Sequence, residues 1–382
     1  MEKRTKIIAT LGPASSDAAT IGNLIKAGAN IFRLNFSHGT ADDHRDRCRV
    51  IREQAERIGV HVGILGDLQG PKIRIGDLAG GEVLLADDSN IMLTVNESRG
   101  DSEGYIPVGY KRLPECVTAN DILLLDDGLI QLTVLAVDGD DVHCSVKVGG
   151  LLKSRKGLNR LGGGLSAPTI TEKDHLDITM AAELGVDYLA VSFPSCAADL
   201  DPVKRQLEEI GADIAIIAKI ERAEAVNNEQ TLTDLILAAD GVMVARGDLG
   251  VEIGDAELPG VQKRIIRLSR ELNRPVITAT QMMESMRSSP QPTRAEVMDV
   301  ANAVLDGSDA VMLSAETATG DYPVKTVETM SRICEGAERH RSHERSEAML
   351  DMHFQQTDEA IAVATVYTAN HSSASAIVAL TE

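Results

Sequence analysis

Eight short apolar runs, rich in β-branched residues, alternate with helical patterns along this chain. Strands are expected over residues 5–11, 31–36, 61–68, 187–193, 214–221, 241–247, 275–281 and 310–316. Between them, apolar positions recur with helical period over 17–27, 41–58, 172–184, 197–210, 232–239, 261–272, 294–305 and 324–337. Runs such as IAIIAKIE (214–221) and GVMVARGDLG (241–250) suit strands covered on both faces, the condition of a parallel sheet. Eight strand–helix pairs in succession predict an α/β chain closed into a (β/α)8 TIM barrel rather than an open sheet.

The third pair is interrupted. After Asp67-Leu68-Gln69-Gly70-Pro71 the helical period resumes only near Thr171. The intervening stretch holds short β-like runs at 82–86, 91–95, 122–125, 131–137 and 142–148, punctuated by Asp127-Gly128 and Asp138-Gly139 turns. The expected organisation is a first barrel part over 1–67, an inserted small β lid over 68–165, a second barrel part over 166–340, and a C-terminal piece over 341–382. An insert in a barrel loop stands over the end where barrel chemistry sits, and Gly162-Gly163-Gly164 would be its hinge. In the C-terminal piece, 339–346 reads as a linker, 358–370 as a helix and 376–380 as a strand. It reads as the start of a further domain.

Charge narrows the function classes. The 382 residues carry a formal net charge of −20, which disfavours broad contact with nucleic acid or anionic membrane. Trp is absent and aromatic residues make up 2%, against base-stacking recognition. Cys48, Cys116, Cys144, Cys196 and Cys334 are scattered without a CxxC pair, so neither a zinc site nor a disulfide framework is expected. The N-terminus lacks a secretory apolar region and no run approaches the ~20 residues of a membrane span. A cytoplasmic enzyme fits best. An anionic small substrate must then be held by a local basic cluster working against the global field.

Such a cluster emerges at the strand ends. Side chains at i and i+2 of a strand share a face. Arg33 and Asn35 share one at strand two, with Ser37 and His38 just beyond; Asp67 ends strand three. Lys219 and Glu221 share a face at strand five, Asp248 follows strand six, Thr278 and Thr280 pair at strand seven, and Ser314 and Glu316 at strand eight. Six of eight strands thus put polar groups at the carboxyl edge, where parallel α/β folds place chemistry. Glu221 and Asp248 offer hard oxygen ligands for Mg2+ or Mn2+. Arg33 and Arg74 can grip phosphate, Lys219 can neutralise a transferring phosphoryl group or an enolate, and the turn at 245–248 exposes amides to a carboxylate. Two plainer readings stay open at this point: polar residues as mere markers of strand–loop junctions, and Lys219–Glu221 as a buried ion pair. Neither a dinucleotide glycine fingerprint nor a P-loop is present.

The runs TKIIATLGPAS (5–15), FRLNFSHG (32–39), GDLQGPKIR (66–74), LLLDDGLIQL (123–132), IIAKIERAEAV (216–226), MVARGDLGVEI (243–253), ITATQMMESM (277–286), PTRAEVMDVANAVLDGSDAVMLSAET (292–317) and DYPVKTV (321–327) resemble the signatures of the pyruvate kinases, in family order. The resemblance extends over residues 4–382. It implies a barrel with an inserted β-barrel lid and a C-terminal α/β domain, and phosphoryl transfer from phosphoenolpyruvate to ADP to give pyruvate and ATP. It implies that Glu221 and Asp248 hold Mg2+ or Mn2+. Arg33 and Lys219 would bind the phosphoryl group, with Lys219 stabilising its transition state. Gly247, Asp248 and Thr280 would receive the substrate carboxylate. Thr280, Ser314, Glu316 and water are the implied proton route. His38, Arg74 and Lys156 match nucleotide-contacting positions, and a homo-oligomer is expected, the family tetramer being in doubt because the C-terminal domain is cut short.

Two departures bear on mechanism. Most members of the family hold K+ at positions matching Asn35, Ser37, Asp67 and the Leu68 carbonyl, beside a glutamate that is Lys72 here. The set resembles the K+-independent branch, where the Lys72 ammonium would supply the monovalent charge. The resemblance also implies a C-terminal domain that carries effector binding and a subunit interface in the family, and residues 341–382 are expected to hold only its start. Two other classes remain: a metal-dependent aldolase, which also uses a barrel with Glu and Asp, and a non-catalytic scaffold. The lid and the Arg33–Lys219 pair speak against the aldolase.

Overall fold

The structure is a computed structural model and describes residues 3–99, 104–165, 167–341, 357–372 and 374–379. Eight parallel strands close into a barrel: β1 (Lys6–Thr10), β2 (Ile31–Asn35), β3 (Gly63–Asp67), β12 (Tyr188–Val191), β13 (Ala215–Ile220), β14 (Gly241–Ala245), β15 (Val276–Ala279) and β16 (Ala310–Leu313). Each pairs with its neighbour in that order, and β16 pairs back to β1. The eight expected barrel strands are all found.

Strand alternation divides the core into two layers. Ile8, Leu65, Ile217, Met243, Ile277 and Met312 fill the barrel interior. Ile7, Phe32, Ile64, Val242 and Leu313 face outward and bury against the helices. Burial on both faces is why these strands read as continuous apolar runs. Packing is close enough to dictate residue size at Gly66, where an added Cβ would stand 2.8 Å from the Phe36 ring.

Helix boundaries follow local chemistry. Thr40 with Asp43, Thr171 with Asp174, and Thr293 with Glu296 form capping boxes that start the helices Ala41–Ile58, Glu172–Leu184 and Arg294–Asp306. The helix expected from 232 begins earlier, as Glu229–Ala238, because the Asn228 side chain accepts from the Gln230 amide. The helix expected over 197–210 divides into a 3-10 turn, Ala197–Leu200, and a helix, Asp201–Ile210, with Pro202 in its first turn.

Between β3 and β12 the chain forms eight short strands: β4 (Glu82–Leu85), β5 (Asn90–Thr94), β6 (Tyr105–Pro107), β7 (Ile122–Leu125), β8 (Ile130–Asp138), β9 (Asp141–Val148), β10 (Gly150–Lys153) and β11 (Leu158–Arg160). Six join in the order β11-β7-β8-β9-β5-β6, while β10 pairs β4 alone. Leu93, Leu123, Leu132, Val142 and Leu158 make a separate core for this insert. The five expected runs are present. The strands β6, β10 and β11 were not anticipated, since runs of three or four residues carry too little alternation to read.

The C-terminal piece differs from expectation. The helix Pro323–Arg341 runs through the first residues of the expected linker, and 342–346 lie outside the described residues. The helix Thr357–His371 forms. The strand expected over 376–380 does not form across 374–379, and residue 380 lies outside the described residues. A strand needs a neighbour to satisfy its backbone, and none pairs with this segment among the described residues.

Candidate active site

The carboxyl edge of the barrel collects the charged groups that alternation assigned to it, but not Thr278, whose buried hydroxyl pairs with Ser308 Oγ at 2.7 Å on the other face of β15. Lys219, on β13, is the hub. Its Nζ lies 2.9 Å from Glu221 Oε1 and 3.2 Å from Asp67 Oδ1, and donates to Ser192 Oγ at 2.7 Å. Arg33, on β2, meets Asp67 from the other side, Nε to Oδ2 at 2.5 Å, and donates to Thr10 Oγ at 3.2 Å. Asp67 and Glu221 are each 1% exposed. Two cations and two carboxylates therefore share one desolvated cluster.

Burial and charge oppose each other there. Burial alone would raise the Asp67 carboxyl, but Lys219 and Arg33 outweigh it and hold Asp67 below the ordinary range. Burial would lower the Lys219 ammonium, but Asp67 and Glu221 keep it raised. Glu221 goes the other way: burial, with the charges of Asp248 and Asp67 added, outweighs Lys219 and pushes it up to about 7. Glu221 Oε2 accepts from the Phe193 amide at 2.9 Å.

Asp248 sits in the first turn of the helix Arg246–Ile253 that follows β14. Its Oδ1 is 2.9 Å from Lys72 Nζ, which also lies 3.2 Å from Asp127 in the insert. Lys72 is raised because these two carboxylates outweigh its burial. Among the described residues no group of three or more His, Cys, Asp or Glu is arranged to hold a metal. The chain thus offers a carboxylate pair, Glu221 and Asp248, whose mutual repulsion a cation would relieve. That donor set fits a hard divalent ion that takes its remaining oxygens from water and substrate.

Beside the start of the same helix, Thr280 and Gln281 follow β15 with left-handed φ values of 67° and 51°. The Thr280 hydroxyl accepts from the Gly247 amide at 2.8 Å and donates to the Ala279 carbonyl at 2.7 Å. Glu316 is fully buried, accepts from the Ser314 amide at 2.7 Å and the Met283 amide at 3.1 Å, and is raised chiefly by burial. Ser314 Oγ is buried with no hydrogen-bond partner among the described residues.

The remaining expected residues take more peripheral places. Asn35 Oδ1 accepts from the Ser37 amide at 3.1 Å, and the Leu68 carbonyl accepts from Ser192 Oγ at 2.7 Å. The His38 amide donates to the Asn35 carbonyl at 3.2 Å. Lys156 pairs with Asp126 at 2.7 Å, and Arg74 donates to the Arg155 carbonyl at 3.1 Å. Lys72 makes its ion pairs with Asp127 and Asp248, not with the Asn35–Asp67 group.

Residue-level reading missed Thr10 and Ser192. They stand at the ends of β1 and just past β12, the two strands credited with nothing. Thr10 Oγ bridges Arg33 to the Leu313 carbonyl, and Ser192 bridges Lys219 to the Leu68 carbonyl. The same alternation test would have found both, but hydroxyls blend into strand–loop junctions where charges do not.

The model for the barrel domain of pyruvate kinase matches residues 2–327 of the chain. Pyruvate kinase II of Salmonella typhimurium is 55% identical over 382 residues, covering 100% of this chain and 80% of that protein. Pyruvate kinase of Haemophilus influenzae is 53% identical over 97% of this chain and 77% of its own length. In three dimensions, a pyruvate kinase from Cryptosporidium parvum superposes with a TM-score of 0.89 at 37% identity, covering 97% of this chain and 77% of that one. Likeness this extensive in sequence, and shared in the barrel that gathers Arg33, Lys219, Glu221 and Asp248, settles the descent: the chain belongs to the pyruvate kinase family.

Proposed function

We propose that the carboxyl-edge cluster carries the phosphoryl transfer, with Lys219 at its centre. The chain is a phosphotransferase of the pyruvate kinase type, converting phosphoenolpyruvate and ADP to pyruvate and ATP. One observation supports the residue assignment most: Lys219 is a buried, charged lysine held by Asp67, Glu221 and Ser192 beside Arg33. A desolvated, pre-oriented cation is worth far more to a developing negative charge than one in water.

Arg33 and Lys219 bind the phosphoryl group of phosphoenolpyruvate, while the Gly247 and Asp248 amides and the Thr280 hydroxyl take its carboxylate. The bond between the enol oxygen and phosphorus breaks as an oxygen of the ADP terminal phosphate bonds to phosphorus. Lys219 balances the charge spread over the equatorial oxygens. The enolate left behind takes a proton at its methylene carbon through Thr280, Ser314, Glu316 and water. The buried Ser314 hydroxyl, without a hydrogen-bond partner among the described residues, and the raised Glu316 support that route.

Glu221 and Asp248 would hold Mg2+ or Mn2+, which would supply positive charge to the anionic substrate. His38, Arg74 and Lys156 serve the nucleotide. Asn35, Ser37, Asp67 and Leu68 are the monovalent-cation positions, with the Lys72 ammonium in place of K+. Residues 68–165 act as the lid, 1–67 and 166–340 form the barrel, and 341–382 begin a C-terminal domain. The setting is cytoplasmic and the enzyme a homo-oligomer. No helix among the described residues is long and apolar enough to cross a membrane.

Pyruvate formation from phosphoenolpyruvate, ADP and Mg2+ in a coupled assay tests the reading. Lys219→Met should retain substrate binding and lose about a thousandfold in kcat. Near-normal turnover in that variant would remove Lys219 from its role.

A further inference from the structure

Arg246 is the first residue of the helix Arg246–Ile253 and immediately precedes the Gly247 and Asp248 amides. Its side chain is buried and turns away from those amides toward the segment after β15. Nε donates to the Thr280 carbonyl at 3.1 Å and the Ala279 carbonyl at 3.3 Å. Nη2 donates to the Thr280 carbonyl at 2.6 Å and the Gln281 carbonyl at 3.0 Å, and lies 2.9 Å from Met282 Sδ. Nη1 meets both Asp299 oxygens at 2.8 Å. Asp299 belongs to the helix Arg294–Asp306, so one guanidinium ties three elements together.

The segment it grips is strained. Thr280 is β-branched and sits at a φ of 67°, and Gln281 follows at 51°. A β-branched residue in the left-handed region is a costly conformation that persists only when its surroundings over-determine it. Three successive carbonyls held by one planar, charge-assisted fork supply that constraint. The result is visible at the hydroxyl: Thr280 Oγ stands 2.8 Å from the Gly247 amide, the group next to Arg246 in the chain.

We infer that Arg246 is a positioning residue: its guanidinium holds the Thr280–Gln281 turn left-handed, and thereby sets the distance between the Thr280 hydroxyl and the Gly247 amide that together receive the substrate carboxylate. The inference rests on the carboxylate role proposed for Thr280 and Gly247. Asp299 anchors the fork from outside the site. A lysine cannot replace it, because an ammonium is a point donor that cannot span three carbonyls and a carboxylate at once.

Four variants test this: Arg246→Lys, Thr280→Ala, the double variant, and Asp299→Asn, each assayed with phosphoenolpyruvate and ADP varied separately. Arg246→Lys should raise KM for phosphoenolpyruvate about tenfold and leave KM for ADP within about twofold. The double variant should match Thr280→Ala within about threefold, because the arginine acts through the turn that the threonine occupies. Losses that multiply in the double variant, or equal shifts for both substrates, would overturn the inference while leaving the Thr280 assignment intact. Wild-type kinetics in Thr280→Ala would overturn both. Should Arg246→Lys fail to fold, Asp299→Asn is decisive: a rise of about threefold or more in KM for phosphoenolpyruvate, with KM for ADP steady, supports the inference, and a folded Asp299→Asn protein without that selective rise overturns it.

Discussion

His44 shows how a single buried side chain sets a pH limit. Its ring packs edge-on to Phe36, with centroids 5.0 Å apart, and neither ring nitrogen has a hydrogen-bond partner among the described residues. Burial lowers its pKa from 6.5 to about 4, with Arg47 and Lys173 pushing the same way and the His38 backbone and Asp43 opposing. The unfolded chain therefore binds the proton more tightly than the fold does. The stabilisation is complete above pH 6.5 and is lost as pH falls through that value toward about 4. Urea midpoints at pH 7.5 and 5 should fall further in the wild type than in His44→Phe; parallel losses in the two proteins would rule out His44 as the cause. Lys219, Glu221 and Asp248 were readable as chemistry from charge at a strand end. His44 was not, since nothing in the linear pattern says that a histidine in the first turns of a polar helix will lie under Phe36.

At the scale of elements, the site is held by short polar ties between barrel loops and helix starts. Glu296 completes the capping box with Thr293, and also accepts from the Ser285 amide at 2.7 Å and the Ser285 hydroxyl at 2.5 Å. It fastens the loop after β15 to the helix Arg294–Asp306. Hydrogen bonds from Ser285 and Thr293 hold Glu296 low against the opposing effect of burial. Thr293→Ala should destabilise the barrel by about 1 kcal/mol, read as a lowered urea midpoint. No change would mean that Glu296 and Ser285 hold this helix start without the threonine. These caps went unread although Thr-x-x-Glu and Thr-x-x-Asp are local patterns. The three added insert strands were not legible, because pairing between β10 and β4 joins residues more than sixty positions apart.

At the scale of the whole molecule, net charge and the cation inventory meet. A chain of net charge −20 must place its cations deliberately, and two of them, Arg33 and Lys219, converge on Asp67. Lys72 adds a third cation at the junction of insert and barrel, between Asp127 and Asp248. With that charge built in, activity in K+ and in tetramethylammonium should agree within about twofold at equal ionic strength. A large K+ activation would show that Lys72 does not stand in for the monovalent ion.

Fold class and half of the site were settled by local rules: the period of the apolar runs, the alternation of strand faces and the charges at strand ends all act within a few residues. Those rules sufficed for the barrel because its strands are largely covered on both faces and the helices Ala41–Ile58, Glu172–Leu184 and Arg294–Asp306 carry their own capping boxes. Contacts between distant segments followed from closure alone. Thr10, Ser192 and Arg246 acquired their places only when the barrel brought β1 beside β2, β12 beside β13, and β14 beside β15. The partners of their side chains lie from 23 to 303 positions away in the chain. A hydroxyl or a buried guanidinium has no chemistry until its neighbours are known, and that information exists only in the folded geometry.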